Sequence, residues 1–178
     1  MEPTSTPASR IEVATAEGMQ ALGRRIATLL QAGDLVVLSG PLGAGKTTLV
    51  QGIGAGLGVR GPVTSPTFVI ARVHPAPGDS PALVHVDAYR LGSVAEVDDL
   101  DLDASLDDCV TVVEWGEGLV EGLATDRLEV GIAMVPAGPA GESGPAGTRW
   151  VSLTGIGDRW VSAAESARCA LPLSAEAI

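Results

Sequence analysis

Short, mainly apolar runs recur along the chain and predict the strands of a sheet. Leu35–Leu38, Ala82–Asp87 and Val110–Val113 have the composition of strands that are buried on both faces. Ile11–Ala14 alternates between apolar and polar residues and predicts a short edge strand. A loop that contains a proline leads into a further predicted strand at about Thr67–Val73.

Two stretches carry apolar residues at every third or fourth position, which is the spacing of an amphipathic helix. The first helix follows Thr15, a residue type that caps helix N-termini, and is expected to stop at Gly33. The apolar positions are Met19, Leu22, Ile26 and Leu29 in the first stretch, and Leu49, Val50, Ile53 and Leu57 in the second. The acidic segment Val94–Asp108 predicts helix plus turn with a solvated face.

The order of these elements predicts an α/β fold with a mostly parallel central sheet between helices. Leu128–Val135 and Thr148–Leu153 predict a C-terminal antiparallel hairpin at an edge, joined by a flexible loop rich in Pro, Ala and Gly. We expect a flexible arm over residues 1–10, one domain over 11–160 and a tail over 161–178.

The clearest chemical motif lies between the first central strand and the second helix. Gly40–Thr47 matches G-x-x-x-x-G-K-[ST], the phosphate-binding loop of P-loop NTPases, although an ordinary strand-to-helix turn is the alternative. Glycines let backbone N–H groups point at phosphate oxygens, and the helix N-terminus adds a favourable dipole. Lys46 can reach the β- and γ-phosphates, and the Thr47 hydroxyl suits Mg²⁺. The residues expected to bind the nucleotide are Pro41, Leu42, Gly43, Ala44, Gly45, Lys46, Thr47 and Thr48.

Two carboxylates, Asp87 and Glu114, come at the ends of predicted central strands. Both should therefore emerge at the carboxyl edge of the sheet, where open α/β folds bind their ligands. A phosphate-binding loop needs a neighbouring carboxylate that handles magnesium. The spacing leaves open which one orients Mg²⁺ and which orients the attacking water. Either could instead cap a helix or pair with an arginine.

Other polar residues near these strands have two interpretations each. Thr64, Ser65 and Thr67 form either a switch-like loop that contacts a γ-phosphate or an ordinary turn. His85 lies within a strand and is expected to be a hydrogen-bonded core residue rather than a ligand. Trp115 belongs either to the core or to a surface that contacts a nucleotide or a partner.

Composition narrows the function classes. The chain has 22 acidic and 11 basic residues, a formal charge of −11, so it should repel nucleic acid unless a partner holds the RNA. Cys109 and Cys169 are far apart and have no metal-site spacing. We see neither a signal-like start nor an apolar run of membrane-spanning length, and we expect a cytoplasmic protein.

Several classes of P-loop protein lack their further motifs here. Neither N-K-x-D nor T-K-x-D is present, which argues against guanine recognition, and the L-S-G-G-Q signature of ABC-type ATPases is absent. Few arginines follow Glu114, so the arginines that close over a transferred phosphoryl group in a small-molecule kinase are scarce.

Four blocks in order resemble the TsaE family, the bacterial ATPases of tRNA threonylcarbamoyladenosine biosynthesis formerly called YjeE. They are the phosphate loop Gly40–Thr48, then Thr64–Phe68, His85–Arg90 and Glu114–Glu117. The phosphate loop alone is generic, whereas the S-P-T-F and H-x-D-x-Y-R blocks together are specific. The resemblance extends from about Thr15 to Gly157.

This resemblance implies an ATPase that uses ATP and Mg²⁺ and acts with TsaD-type and TsaB-type partners. Those partners would transfer a threonylcarbamoyl group to adenosine 37 of tRNAs that read codons beginning with A, and hydrolysis would reset the complex. By match to the family motifs, Lys46 would hold phosphates, Thr47 and Glu114 would ligate Mg²⁺, and Asp87 would assist hydrolysis. The Thr64–Phe68 block would be the switch-like loop.

Two other functions remain open at this stage. A small-molecule kinase would use the same loop and would form ADP only when a small acceptor is present. A nucleotide-dependent binding module would keep forming its complex after loss of the hydrolytic carboxylate. We expect no contact with membranes or DNA, and contact with tRNA only through partners.

Overall fold

The computed structural model describes residues 9–66, 69–135 and 147–160. Within these ranges the strands are β1 (Ser9–Val13), β2 (Leu35–Ser39), β3 (Ala71–His74), β4 (Ala82–Asp87), β5 (Cys109–Glu114), β6 (Arg127–Met134) and β7 (Arg149–Ile156). The helices are α1 (Ala16–Ala27), α2 (Lys46–Leu57), α3 (Val94–Asp98) and α4 (Asp103–Leu106), and a 3-10 turn at Ala88–Arg90 follows β4.

The seven strands form one sheet in the order β1-β7-β6-β2-β5-β4-β3. The four central strands, β6, β2, β5 and β4, are parallel, whereas β3 at one edge and β7 and β1 at the other pair antiparallel with their neighbours. Because the central strands are parallel, their carboxyl ends lie along one edge of the sheet. This edge receives the glycine-rich loop after β2 and the carboxylates at the ends of β4 and β5.

Helices cover both faces of the central sheet and make it the middle of three layers. Side chains of β2 alternate between the two cores: Val36 and Leu38 pack with α1 and α2, while Leu35 and Val37 pack on the side of α3 and α4. This alternation explains why β2 reads as an uninterrupted apolar run. The predicted α/β fold with a mostly parallel sheet is therefore confirmed. No helix in the described ranges is long and apolar enough to cross a membrane.

Helices α1 and α2 pack against each other at very short range. Thr15 caps α1 by accepting a hydrogen bond from the Gly18 N–H at 3.0 Å. A Cβ atom added at Gly52 of α2 would lie 2.2 Å from the carbonyl oxygen of Gln20 in α1, so only glycine permits this approach. The N-terminus of α2, which carries the phosphate-loop motif, is thereby held by direct backbone packing.

The structure differs from the sequence-based prediction in three places. Helix α1 ends at Ala27 and not at Gly33, because the N–H groups of Thr28, Leu29 and Leu30 bond to carbonyls three residues back and form turns. The strand predicted at Thr67–Val73 begins at Ala71, because the N–H groups of Val69 and Ile70 bond back to the Pro66 carbonyl and form a turn; Thr67 lies outside the described residues. The first strand of the C-terminal hairpin, β6, pairs parallel with β2, so the antiparallel part begins at its pairing with β7.

Three regions predicted from composition lie wholly or largely outside the described residues. They are the N-terminal arm, where β1 begins at Ser9, the hairpin loop over 136–146 and the tail over 161–178. The predicted domain limits of 11 and 160 stay a prediction.

Candidate functional site

The glycine-rich loop between β2 and α2 has a backbone that its glycines make possible. Gly40 has a φ of 142°, and a Cβ atom there would lie 2.4 Å from the carbonyl oxygen of Ile132 on β6. Gly45 has a φ of 108° and immediately precedes α2. The loop therefore closes tightly at both ends, and its N–H groups precede a helix N-terminus, an arrangement that suits an anion.

Lys46 is the first residue of α2, and its side chain folds back over the loop. Its Nζ donates hydrogen bonds to the carbonyl oxygens of Gly40 at 2.8 Å and Pro41 at 3.0 Å. Burial lowers the pKa of Lys46, and the negative charges of Glu114 and Asp87 oppose that effect. The carboxylates thus favour the ammonium form that a phosphate would bind.

The next residue of α2, Thr47, meets the end of β5. The Thr47 hydroxyl donates a hydrogen bond to Oε1 of Glu114 at 2.9 Å. The same oxygen lies 2.8 Å from Nε2 of His85 on the neighbouring strand β4. Two side chains from different elements therefore hold one carboxylate oxygen of Glu114.

Asp87 lies directly beside Glu114, since the two residues are register partners at the ends of β4 and β5. Adjacent strands are about 4.8 Å apart, which brings both carboxylates to one point of the sheet edge. Oδ1 of Asp87 accepts a hydrogen bond from the Tyr89 N–H at 3.1 Å, and Oδ2 accepts one from the Ser65 hydroxyl at 3.2 Å. Asp87 therefore caps the 3-10 turn and also contacts the loop that contains Ser65.

Trp115 covers the site from the side of β5. Its ring centroid lies 3.6 Å from Nζ of Lys46, a cation–π geometry, and 5.1 Å from the ring of Tyr89. Its φ of 63° is unusual for a bulky residue, and its N–H is fixed to the Leu38 carbonyl at 3.0 Å. Trp115 therefore contacts the Lys46 side chain and also packs, half-buried, against the core on the side of α3.

The other residues predicted for the site are spread over the same edge. Pro41, Leu42 and Gly43 form the exposed tip of the loop, Ala44 is buried and Thr48 is half-buried. The polar residues predicted as a switch-like loop are only partly described. Thr64 is exposed and accepts a hydrogen bond from Arg72, Ser65 contacts Asp87, and Thr67 and Phe68 lie outside the described residues.

The oxygen ligands at this edge fit a magnesium ion. The Thr47 hydroxyl and the Glu114 carboxylate are hard donors only 2.9 Å apart. In the described part of the chain, no group of three His, Cys, Asp or Glu side chains could hold a metal by itself. The pair of Thr47 and Glu114 suits Mg²⁺, because this ion usually takes one or two carboxylates together with phosphate oxygens and waters.

Two residues that the sequence did not assign to the site also belong to it. Nε of Arg149, at the start of β7, lies 3.3 Å from the carbonyl oxygen of Ala44 in the loop. His85 is a hydrogen-bonded core histidine as expected, but its partner is Glu114. The period of two in β4 could have revealed His85, because it places His85 and Asp87 on one face, whereas nothing local marks Arg149.

Comparisons with known proteins agree with this architecture. A family model described as TsaE, threonylcarbamoyl adenosine biosynthesis protein TsaE, matches residues 13–137. A relative from Streptomyces coelicolor, named tRNA threonylcarbamoyladenosine biosynthesis protein TsaE, is 63% identical over 146 residues, which are 82% of this chain and 95% of the relative. A Mycobacterium tuberculosis protein of the same name is 54% identical over 121 residues, 64% of this chain and 72% of that protein.

The fold has a counterpart among solved structures. The crystal structure of Bacillus subtilis YdiB superposes with a TM-score of 0.69 and 25% sequence identity, covering 93% of this chain and 95% of that chain. The matched family region contains the glycine-rich loop, both carboxylates and His85. The chain therefore belongs to the TsaE family of threonylcarbamoyladenosine biosynthesis proteins.

Proposed function

We propose that this protein is a Mg²⁺-dependent ATPase that supports the threonylcarbamoylation of adenosine 37 in tRNA. The observation that carries the proposal is the contact between the Thr47 hydroxyl and Glu114 at 2.9 Å, directly beside the glycine-rich loop. This contact places two oxygen ligands for a metal next to the backbone N–H groups of the glycine-rich loop. Phosphoryl transfer needs both a phosphate-binding loop and a metal site.

The residues of the loop have separate tasks in this proposal. Backbone N–H groups from Leu42 to Thr48 bind the phosphates, since Pro41 has no N–H and only shapes the loop. The ammonium group of Lys46 leaves the Gly40 and Pro41 carbonyls to bind the β- and γ-phosphates. Thr47 and Glu114 hold Mg²⁺. When bound, the metal neutralises charge that develops on the phosphate oxygens.

Asp87 is proposed to orient the attacking water. It lies beside Glu114 in the register of β4 and β5, and its oxygens accept hydrogen bonds from the Ser65 hydroxyl and the Tyr89 N–H. Glu114, which accepts the hydrogen bond from the proposed metal ligand Thr47, is assigned to the metal, and Asp87, which contacts the neighbouring loop, is assigned to the water.

Partner proteins of the TsaD and TsaB types are part of the proposal. The relatives are named for tRNA modification, whereas this chain has a formal charge of −11 and is unsuited to holding RNA by itself. Leu42 on the glycine-rich loop is 83% exposed and Tyr89 is 61% exposed, so apolar surface beside the site is available to a partner. Contact with tRNA would be indirect, and the complex would act in the cytoplasm.

Hydrolysis of ATP by the purified protein tests this function. We expect slow, Mg²⁺-dependent release of phosphate that rises when TsaB-type and TsaD-type proteins from the same organism are both added. Release that ignores both partners and requires a small hydroxylated acceptor would instead identify a small-molecule kinase. Complex formation that needs ATP but not hydrolysis would identify a binding module.

Two substitutions separate binding from turnover. Lys46→Met removes a charge-assisted phosphate contact worth about 1.5–3 kcal/mol, so nucleotide affinity should fall roughly 10- to 100-fold. Asp87→Asn should leave affinity within about threefold and slow hydrolysis at least 100-fold. Fluorescent-nucleotide titration and single-turnover hydrolysis measure these quantities. Unchanged affinity in Lys46→Met would contradict the assigned loop, and equal loss of both quantities in Asp87→Asn would contradict the role of Asp87.

A further inference from the structure

His85 is a fully buried polar residue that the roles proposed above do not use. It lies two positions before Asp87 in β4, so both side chains are on the same face of the sheet. Its relative exposure is 0%, and Leu83 and Val112 in the strands around it pack with α1 and α2. Burying a polar ring at this position lowers stability unless its hydrogen bonds are made, so the partners of His85 need to be identified.

Among the described residues, the one side chain that hydrogen-bonds to His85 is the candidate metal ligand Glu114. The ring of His74 also lies nearby, with 6.5 Å between the two ring centroids. Nε2 of His85 lies 2.8 Å from Oε1 of Glu114. Because a carboxylate oxygen is an acceptor, we assign the ring proton to Nε2, which then donates to Oε1. The other ring nitrogen, Nδ1, is buried and has no hydrogen-bond partner in the described part of the chain. Among the described side chains, the ring therefore hydrogen-bonds only to Glu114.

The contact fixes the orientation of the carboxylate. Oε1 of Glu114 accepts hydrogen bonds from His85 on β4 and from the Thr47 hydroxyl on α2, so the two donors come from different elements. Two donors on a single oxygen determine the torsion of the carboxyl group and leave Oε2 available. This is the arrangement by which an outer hydrogen-bond partner orients a metal-binding carboxylate.

We infer that His85 is a positioning residue that holds the Glu114 carboxylate in the orientation required for Mg²⁺. The inference rests on the proposed function, since it concerns the same metal site. It adds a residue from the interior of β4 to a site otherwise made of residues at the ends of strands and helices.

The matched variants His85→Gln and His85→Asn test this role. The amide nitrogen of glutamine lies about as far along the side chain as Nε2 and can donate to Glu114, whereas that of asparagine lies near the place of Nδ1 and does not reach it. Both replacements are polar amides and disturb the core in similar ways. A difference between them therefore reports the hydrogen bond to Glu114 rather than burial of a polar group.

The measurement is the Mg²⁺ concentration that gives half-maximal binding of a non-hydrolysable ATP analogue, together with its affinity in EDTA. We expect His85→Asn to raise the Mg²⁺ requirement about tenfold or more, His85→Gln to stay within about threefold of the wild type, and both to keep the affinity in EDTA. Equal Mg²⁺ requirements in the two variants would overturn the inference, whether both match the wild type or both are impaired.

A Glu114→Gln background completes the test. If His85 acts through Glu114, then His85→Asn should add less than about twofold to the effect of Glu114→Gln on the Mg²⁺ requirement. Multiplicative effects would overturn the inference. Failure of the proposed metal site gives a different result: the wild-type protein would then bind the analogue equally well in Mg²⁺ and in EDTA. A normal Mg²⁺ requirement in His85→Asn would instead refute only the role of His85.

Discussion

Two substitutions of Glu114 separate its structural contribution from its proposed chemical one. Glutamine keeps an oxygen at Oε1, so the Thr47 hydroxyl and the Nε2–H of His85 retain their acceptor. Alanine removes the acceptor and leaves a fully buried N–H in His85 without a partner. Thr47 is only half-buried and can bond to water instead.

The magnitudes follow from these contacts. In Glu114→Ala, the orphaned N–H costs about 1–3 kcal/mol and the lost methylene about 0.8 kcal/mol, a total of roughly 2–4 kcal/mol. For a chain of this size, we expect the melting temperature to fall by about 4–16 °C. In Glu114→Gln, weaker neutral hydrogen bonds are offset by the absence of a buried charge, so the change should stay within about 1 kcal/mol.

Thermal unfolding in EDTA without nucleotide measures this contribution, since neither ligand can then stabilise the folded state. Glu117→Ala is the control: its carboxylate is exposed close by in the sequence, and its loss should change stability by less than about 0.5 kcal/mol. We expect Glu114→Gln to melt near the wild type and yet require more Mg²⁺ for nucleotide binding. Equal destabilisation by glutamine and alanine would refute the argument that Oε1 as an acceptor holds the site together.

Two further predictions concern the scaffold. Gly52→Ala places a Cβ atom 2.2 Å from the Gln20 carbonyl oxygen, so overpacking of about 1–3 kcal/mol should exceed the gain of up to about 1 kcal/mol in helix propensity. The control Gly18→Ala gains similar helix propensity in α1, and its Cβ approaches no backbone atom, only Thr15 Oγ1 at 3.3 Å and Val13 Cγ1 at 3.4 Å. It should stay within about 1 kcal/mol of the wild type in urea unfolding, and equal stability of the two variants would contradict the packing argument. Burial raises the pKa of Asp34 above its ordinary 3.8, although its carboxylate bonds to Arg159. The folded state therefore binds the proton more tightly than the unfolded state. This contribution to stability is full below pH 3.8 and is lost as the pH rises through the raised pKa. Asp34→Asn lacks this loss, so its urea stability relative to the wild type should increase with pH in that window, and a flat difference would contradict the shift.

Local patterns are sufficient to predict the fold and to place the glycine-rich loop beside two carboxylates at one edge of the sheet. The strands β4 and β5 were predicted almost to the residue, because each is an apolar run that ends at a carboxylate. The phosphate-loop motif is contiguous, so its placement after β2 required no knowledge of tertiary structure. The parallel order of the strands then explains why Asp87 and Glu114 meet, which their sequence separation alone does not show.

Features that depend on tertiary contacts were not predictable from the sequence. The Arg149 contact with Ala44 joins positions 105 residues apart, and neither residue belongs to a pattern that marks the other. Trp115 lies over Lys46 because its backbone has a positive φ, and nothing in its neighbouring residues requires that conformation. Positions of this kind are fixed by the packing of whole elements, so their roles become visible only in the folded chain.

The two carboxylates at the sheet edge differ in what holds them, and this difference bears on how a partner could control the protein. Glu114 is held by Thr47 of α2 and by buried His85, both in elements that pack tightly into the core. Asp87 is held in part by Ser65, an exposed residue of the loop that follows α2. A protein that binds this loop would move Ser65, a hydrogen-bond donor to Asp87, without disturbing Glu114. In the proposed ATPase, this geometry would allow a partner to change the rate of hydrolysis while leaving the binding of nucleotide and metal intact, as expected of an ATPase that works within a complex.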